Sequence, residues 1–251
     1  MKPLSPVRFT HRVLIAFYAT LFGFFKPEKL FVLADIRRVV ARARFLRNGA
    51  TFRKLEDRRL NSGTGPRTIE HNEKELHQSG FQSSIRSARL VSIISCLPRI
   101  YETGPALLKV LSVGPRTEME IMSLLSFGFE IKNIDSIDLI SSSPHIRVGD
   151  MHDPCFFPQN HYDVILLSWV LNYSSQPEVV LKNALQSLKP RGVIALGNTH
   201  TEELTDLNLS SISSVDNLLI MIPLLQKFTT LLSVDSSHTS KTFMYVGQAP
   251  D

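Results

Sequence analysis

From residue 101 onward the chain alternates short, almost continuously apolar runs with longer amphipathic ones. Leu107–Val113 (LLKVLSV) is apolar and ends at Gly114-Pro115, the pattern of a strand buried on both faces that enters a turn. Glu118–Phe127 carries Met119, Ile121, Met122, Leu124 and Leu125 and is closed by Gly128, which predicts a helix. Ile134–Ile140 predicts a second strand, and Ser141–Pro144 a short link to a third at Ile146–Val148, ending at Gly149-Asp150. Tyr162–Trp169 (YDVILLSW) predicts the fourth. Pro177–Leu188 has proline in its first turn and Val180, Leu181, Ala184, Leu185 and Leu188 on one side, the signature of an amphipathic helix. Lys189-Pro190-Arg191-Gly192 reads as a break before a fifth strand at Val193–Leu196. A helix near Val215–Phe228 then precedes Thr229–Val234 and Thr242–Val246, which read as a closing antiparallel pair.

Strands that alternate with helices and are buried on both faces specify a three-layer α/β sandwich with a mostly parallel sheet. In such sheets ligands bind beyond the carboxyl ends of the strands. The segments to interrogate are therefore Gly114–Glu118, Asp138, Asp150–Asp153, Ser168–Tyr173 and Gly197–His200.

The first hundred residues follow another pattern. Val13–Phe25 is an apolar run too short to span a bilayer, which takes about 20 residues. Lys26-Pro27-Glu28-Lys29 stands where a secretory signal would need small residues. A core helix or a helix lying in a membrane interface fits this run, and residues 7–25 are the segment that could meet an anionic membrane surface. Leu30–Leu60 reads as helical and strongly basic, Asn61–Pro66 (NSGTGP) as a breaker, Ile69–Gly80 as polar and exposed, with His71 and His77, and Ser83–Ile100 as an amphipathic helix. The expected division is a basic helical extension at 1–66, a helical lead-in at 67–103 and the α/β domain at 104–251.

Charge sharpens that division. Of 28 Lys+Arg and 23 Asp+Glu, residues 1–100 hold 19 and 7, leaving 9 and 16 for residues 101–251. The net +5 is therefore +12 in the first part and −7 in the second. The basic part has no aromatic platform or zinc spacing, so nucleic acid is not an expected partner. Cys96 and Cys155 are far apart in sequence, without metal-ligand spacing, and read as small buried apolar residues of a cytoplasmic, reducing compartment. The eight histidines lack the pairing of a zinc site, and no metal is expected. No Gly-x-Ser-x-Gly elbow or nucleotide-triphosphate loop occurs.

Taken in order, KVLSVGPRTE, Asp138 ending strand two, GDMHD, YDVILLSWVLNY, LKPRGVIALG and the terminal strand pair resemble a class I S-adenosylmethionine-dependent methyltransferase of the small-molecule type. The resemblance covers roughly 104–251 and implies a Rossmann-like fold with S-adenosyl-L-methionine as cofactor. It implies that Gly114 lets the backbone approach the ligand. Asp138, 24 residues on, would accept the ribose hydroxyls, Asp150 the exocyclic amine of adenine, and Met151 would pack on the ring. Pro115, Arg116, Ser168 and Trp169 complete the implied cofactor set. The family's turn has an acid followed by three glycines at alternate positions; here Ser112 replaces the acid, and Arg116 and Glu118 replace the second and third glycines.

Methyl transfer from a sulfonium is an in-line displacement that needs a base only if the acceptor must lose a proton. His152, His200 and Tyr173 are the candidates, and none is assigned. The expected reaction is direct methylation of a small-molecule, glycan or lipid-precursor acceptor. The alternative is a non-catalytic methyltransferase-like scaffold that uses its basic arm. Acceptor identity and oligomeric state are not legible, because acceptor contacts come from variable loops.

Overall fold

The computed structural model describes residues 52–56, 63–64, 67–78, 83–199, 222–226, 229–237 and 242–251. All of these belong to the second of two compact units, 1–44 and 45–251. The expectations for residues 7–25, for most of the basic stretch and for His200 lie outside the described residues.

Strands β1 (Arg53–Lys54), β2 (Val110–Val113), β3 (Ile134–Asp138), β4 (Ile140–Ser141), β5 (Arg147–Val148), β6 (Tyr162–Ser168), β7 (Leu188–Thr199), β8 (Thr230–Ser237) and β9 (Thr242–Gln248) carry the fold. Seven of them form one sheet in the order β5-β3-β2-β6-β7-β9-β8. Neighbours from β5 to β7 are parallel, while β9 is antiparallel to both β7 and β8. The expected closing pair is therefore present, and its outer strand β8 runs in the direction of the parallel set.

The side-chain period of two sorts the core into layers. Leu111, Val113, Ile165, Leu167, Ile194 and Leu196 face one cluster, which contains Val180, Leu181 and Ala184 of helix α5 (Pro177–Ser187). Val110, Val164, Leu166, Val193 and Ala195 face the other. There they meet Leu90, Val91 and Ile94 of α2 (Ser83–Ser95) and Ile121 and Leu124 of α4 (Met119–Ser126). The helix expected over Ser83–Ile100 breaks before Pro98, which starts α3 (Pro98–Thr103). Proline excludes the helical region for the residue before it, and Leu97 is extended at φ −72°, ψ 138°.

Four further expectations change. Residues 69–80, read as polar and exposed within the helical lead-in, hold α1 (Thr68–Gln78), whose Thr68 and Asn72 are buried. The basic stretch read as helix through Leu60 is extended at β1, which pairs with β4 (Arg53↔Ser141, Lys54↔Ile140). Lys189–Gly192, read as a break, lies within β7 beside a register shift opposite Tyr162 and Val164, with Arg191 at φ 59°. The sheet absorbs the four residues as an irregularity rather than ending there. Cys96 and Cys155 are exposed free thiols, not core residues. Atoms that shield the Cys155 sulfur, and then the Asp153 carboxylate, push its thiol up to about 11.

The link from β3 to β5 contains no helix. Instead the Asp138 carboxylate takes the Ile140 N–H at 3.3 Å, and the chain bends into β4. Among the described residues no helix is long and apolar enough to cross a membrane.

Candidate functional site

The parallel strands end together around three loops. In the first, after β2, Gly114 adopts φ +70° and donates to the Ile137 carbonyl at 2.8 Å. A Cβ here would lie 2.5 Å from Val170 Cγ2, so the turn needs glycine for its left-handed backbone and for the approach of Val170. Pro115 follows, buried, and Arg116 is left-handed at φ 53°. A residue that sequence reading counts as a lost glycine thus keeps a glycine-like backbone. That conformation aims the Arg116 N–H at Asp138 Oδ2, 2.7 Å away. Its guanidinium turns to Asn72 Oδ1 on α1, at 2.9 Å. Ser112, at the family's acidic position, donates to Glu120 Oε1 at 2.5 Å, so a carboxylate is still held there, supplied from the start of α4.

Asp138 ends β3 and is only 6% exposed. Burial raises its carboxyl above the ordinary 3.8, opposed by the Arg116 charge and by the N–H groups of Arg116, Ile140 and Leu139.

The second loop follows β5. Asp150 Oδ1 accepts from His152 N at 2.9 Å and lies 2.6 Å from His152 Nδ1, while Oδ2 accepts from Thr64 Oγ1 at 2.7 Å. Beyond the ring, His152 Nε2 is 2.7 Å from Ser174 Oγ, which accepts the Gln176 N–H at 3.0 Å. Asp150, His152 and Ser174 are 2%, 1% and 0% exposed. These residue types in this order make a nucleophilic relay in hydrolases. Here the hydroxyl is fully buried and receives a backbone donor, so no acyl group can reach it. With both ring nitrogens engaged, His152 has none to offer an acceptor and does not serve as the base. Met151, 7% exposed, packs in the α5-side cluster.

In the third loop, after β6, Trp169 is left-handed at φ 57° and its N–H donates to the Gly197 carbonyl at 2.9 Å. Its ring lies over Gly197, where a Cβ would come within 2.5 Å of Cζ3. Ser168 Oγ is buried without a hydrogen-bond partner among the described residues. An orphaned hydroxyl of this kind, at the mouth of the parallel strands, fits a ligand that brings its own polar group. Tyr173 Oη is 3.3 Å from His71 Nε2 on α1, with ring centroids 5.6 Å apart.

The structure therefore gathers Gly114, Pro115, Arg116, Asp138, Asp150, Met151, Ser168 and Trp169 at one end of the sheet, with His152 and Tyr173 beside them. Sequence reasoning missed Gly63, Thr64, His71, Asn72 and Ser174. The first two fell in a stretch read as a breaker, yet Thr64 bridges Ser174 and the Gly63 carbonyl accepts from Ser175 N at 2.8 Å. A groove of about 710 Å³, lined by Val179, Leu185 and Leu224 among others, opens near Asn160, Leu188 and Pro250 at the opposite end of the strands and contains none of the candidate residues. Among the described residues no cluster of three His, Cys, Asp or Glu could hold a metal ion.

A family profile described as a methyltransferase domain matches residues 85–239, more than half of the chain. No curated protein matches the sequence. Among solved structures, the chain is similar to the N-methyltransferase NodS from Bradyrhizobium japonicum WM9 in complex with S-adenosyl-L-homocysteine. The two share 16% identity over 73% of this chain and 99% of that one, with a TM-score of 0.55. It is also similar to the CurJ carbon methyltransferase, at 15% identity over 71% of this chain and 58% of the other, with a TM-score of 0.52. At such identities the likeness is one of fold.

Proposed function

The chain belongs to the class I S-adenosylmethionine-dependent methyltransferases, and from that premise we propose that it methylates a small-molecule, glycan or lipid-precursor acceptor directly. The observation that carries the reading is Asp138. Its carboxylate ends β3 directly under the glycine turn, oriented by the N–H groups of Arg116 and Ile140. A carboxylate has about four acceptor positions, so one oriented by the N–H groups of Arg116 and Ile140, with that of Leu139 beside them, can still receive a ribose hydroxyl.

When bound, S-adenosylmethionine supplies a methyl group already activated on a sulfonium. The chain's own residues bind and orient. Asp138 takes the ribose, Asp150 the adenine amine, and Met151 the ring face. Arg116 and the first N–H groups of α4 suit the methionine carboxylate. Ser168, Trp169 and Tyr173 line the side where the acceptor enters. The acceptor's proton leaves to solvent or to a group the acceptor itself brings near Tyr173 and His71.

Calorimetric titration with S-adenosylmethionine and S-adenosylhomocysteine, beside Asp138→Ala, tests this reading. Micromolar binding by the wild type and at least a tenfold loss in the variant are expected. No binding by folded wild-type protein would sink it, and binding without transfer to any acceptor would favour the scaffold alternative. Acidification is a second arm. A protonated Asp138 cannot accept from both hydroxyls, and its carboxyl lies above the ordinary aspartate value. Affinity should therefore fall as pH is lowered, beginning above the pH at which an ordinary aspartate would titrate.

A further inference from the structure

Five large apolar side chains stand exposed among the described residues, and four of them, Tyr101, Leu107, Phe127 and Ile131, lie in one corner. They come from α3, from the turn Pro105–Leu107, from the end of α4 and from the turn Ile131–Asn133. These segments hold one another. The Gly104 N–H donates to the Ile100 carbonyl and the Leu107 N–H to the Gly104 carbonyl, each at 3.1 Å. Asn133 Nδ2 donates to the Ala106 carbonyl at 2.8 Å, and a Cβ on Gly128 would come within 3.2 Å of Pro105 Cγ. Their neighbours in the chain, Ile100, Leu108, Phe129 and Ile134, are buried together in the cluster beneath α2 and α4. The apolar pattern thus continues outward through the surface, to Tyr101 at 83% exposure and Leu107 at 74%. Single exposed hydrophobic residues are ordinary, but several grouped on a pinned frame mark a contact surface.

The flanking charges favour one kind of partner. The exposed charged residues beside these side chains in the chain are Glu102, Lys109, Glu130 and Lys132, two of each sign. Glu130 and Lys132 already pair at 2.7 Å. A patch without net charge has no field to draw an anionic bilayer or a nucleic acid. It does meet a copy of itself without repulsion, and mixed signs around an apolar centre let carboxylate face ammonium across a two-fold axis. We propose that the corner formed by Tyr101, Leu107, Phe127 and Ile131 is an isologous interface through which two copies of this chain associate. Tyr101 is its central anchor, a residue type that carries much of the energy in such contacts. The four residues precede β2 and β3 or end α4, away from the loops that follow the parallel strands. Pairing here therefore leaves both cofactor sites open. Four anchors make a small interface, so the association is reversible, with a dissociation constant of about 10 µM.

Sedimentation velocity of the full-length chain across roughly 1–300 µM tests this, a range that brackets such a constant. The wild type should pass from monomer to dimer. Tyr101→Ser with Leu107→Ser should weaken the dimer at least tenfold. Both side chains are exposed, so the melting temperature and the affinity for S-adenosylhomocysteine should not change. A second pair of variants stands if that one does not fold. Glu102→Lys and Lys109→Glu each give the patch a net charge and should weaken self-association about threefold or more, while an equimolar mixture of the two should recover it. A wild type that stays monomeric throughout overturns the proposal, and so does a dimer that the serine and charge variants leave unchanged. Flotation of the wild type with phosphatidylcholine vesicles, lost in the serine variant, would assign the corner to a bilayer and overturns it as well.

Discussion

The two loops that flank the proposed cofactor are built by opposite means. After β2 the backbone carries the construction: a left-handed Gly114, a left-handed Arg116 and an N–H aimed at Asp138. After β5 side chains carry it, with an imidazole, two hydroxyls and a carboxylate in one buried network. A loop shaped by its backbone can change residue type and keep its form, as Arg116 demonstrates. A loop shaped by side chains keeps its form only while each donor and acceptor is present. The first should therefore be vulnerable at a single glycine, and the second at several polar positions.

Gly114→Ala would break the backbone-built loop most severely. It adds a Cβ at φ +70° and sets it 2.5 Å from Val170 Cγ2. The expected cost is about 2–4 kcal/mol, combining a disfavoured backbone region with overpacking. Thermal melting would show it, and adding Val170→Ala should recover the steric part but not the backbone part. Full recovery in the double variant would mean that the left-handed turn contributes nothing.

Gly63→Ala attacks the side-chain network from outside, since a Cβ there would fall 2.6 Å from His152 Cδ2 and Nε2. The His152 ring is pinned by Asp150 and Ser174 and cannot yield, so about 1–3 kcal/mol is expected by the same melting measurement. A neutral result would show that the ring is not held as tightly as its two hydrogen bonds imply. Arg116→Gly sharpens the comparison at its gentlest point. It relieves a left-handed residue by roughly 1–2 kcal/mol and gives up the bond to Asn72 Oδ1, worth about 1. A stability change within about 1 kcal/mol is expected in denaturant titration, whereas a large loss would mean the arginine side chain, not its backbone, builds the turn.

The same contrast explains what was legible in the sequence. Near-continuous apolar runs located β2 and β6, because burial on both faces leaves a signal in composition alone, whereas β3 and β5 were placed by the turns that bound them. The Asp150 loop was visible because side chains build it and side chains are what a sequence prints. The turn after β2 looked damaged, since a left-handed arginine has no mark that separates it from any other arginine. Thr64 and Asn72 were invisible for a different reason. Their roles are contacts to Asp150 and Arg116, 86 and 44 residues away, and no local pattern encodes a partner at that distance. Lys189–Gly192 misled because proline and glycine punctuate a chain locally, while the neighbouring strands decide whether the sheet continues past them.

The strand order has a consequence for how the molecule is made. β9 lies between β7 and β8, although both precede it in the chain. While the polypeptide emerges from the ribosome, β7 must wait with one row of backbone N–H and C=O groups unpaired, and β8 has no neighbour on which to form. Residues 242–248 enter as a wedge that satisfies both at once, in registers running from Val193↔Gln248 on one side and Thr230↔Gln248 on the other. Until they arrive the nascent domain presents an open edge to any strand nearby, the exposure that invites mispairing.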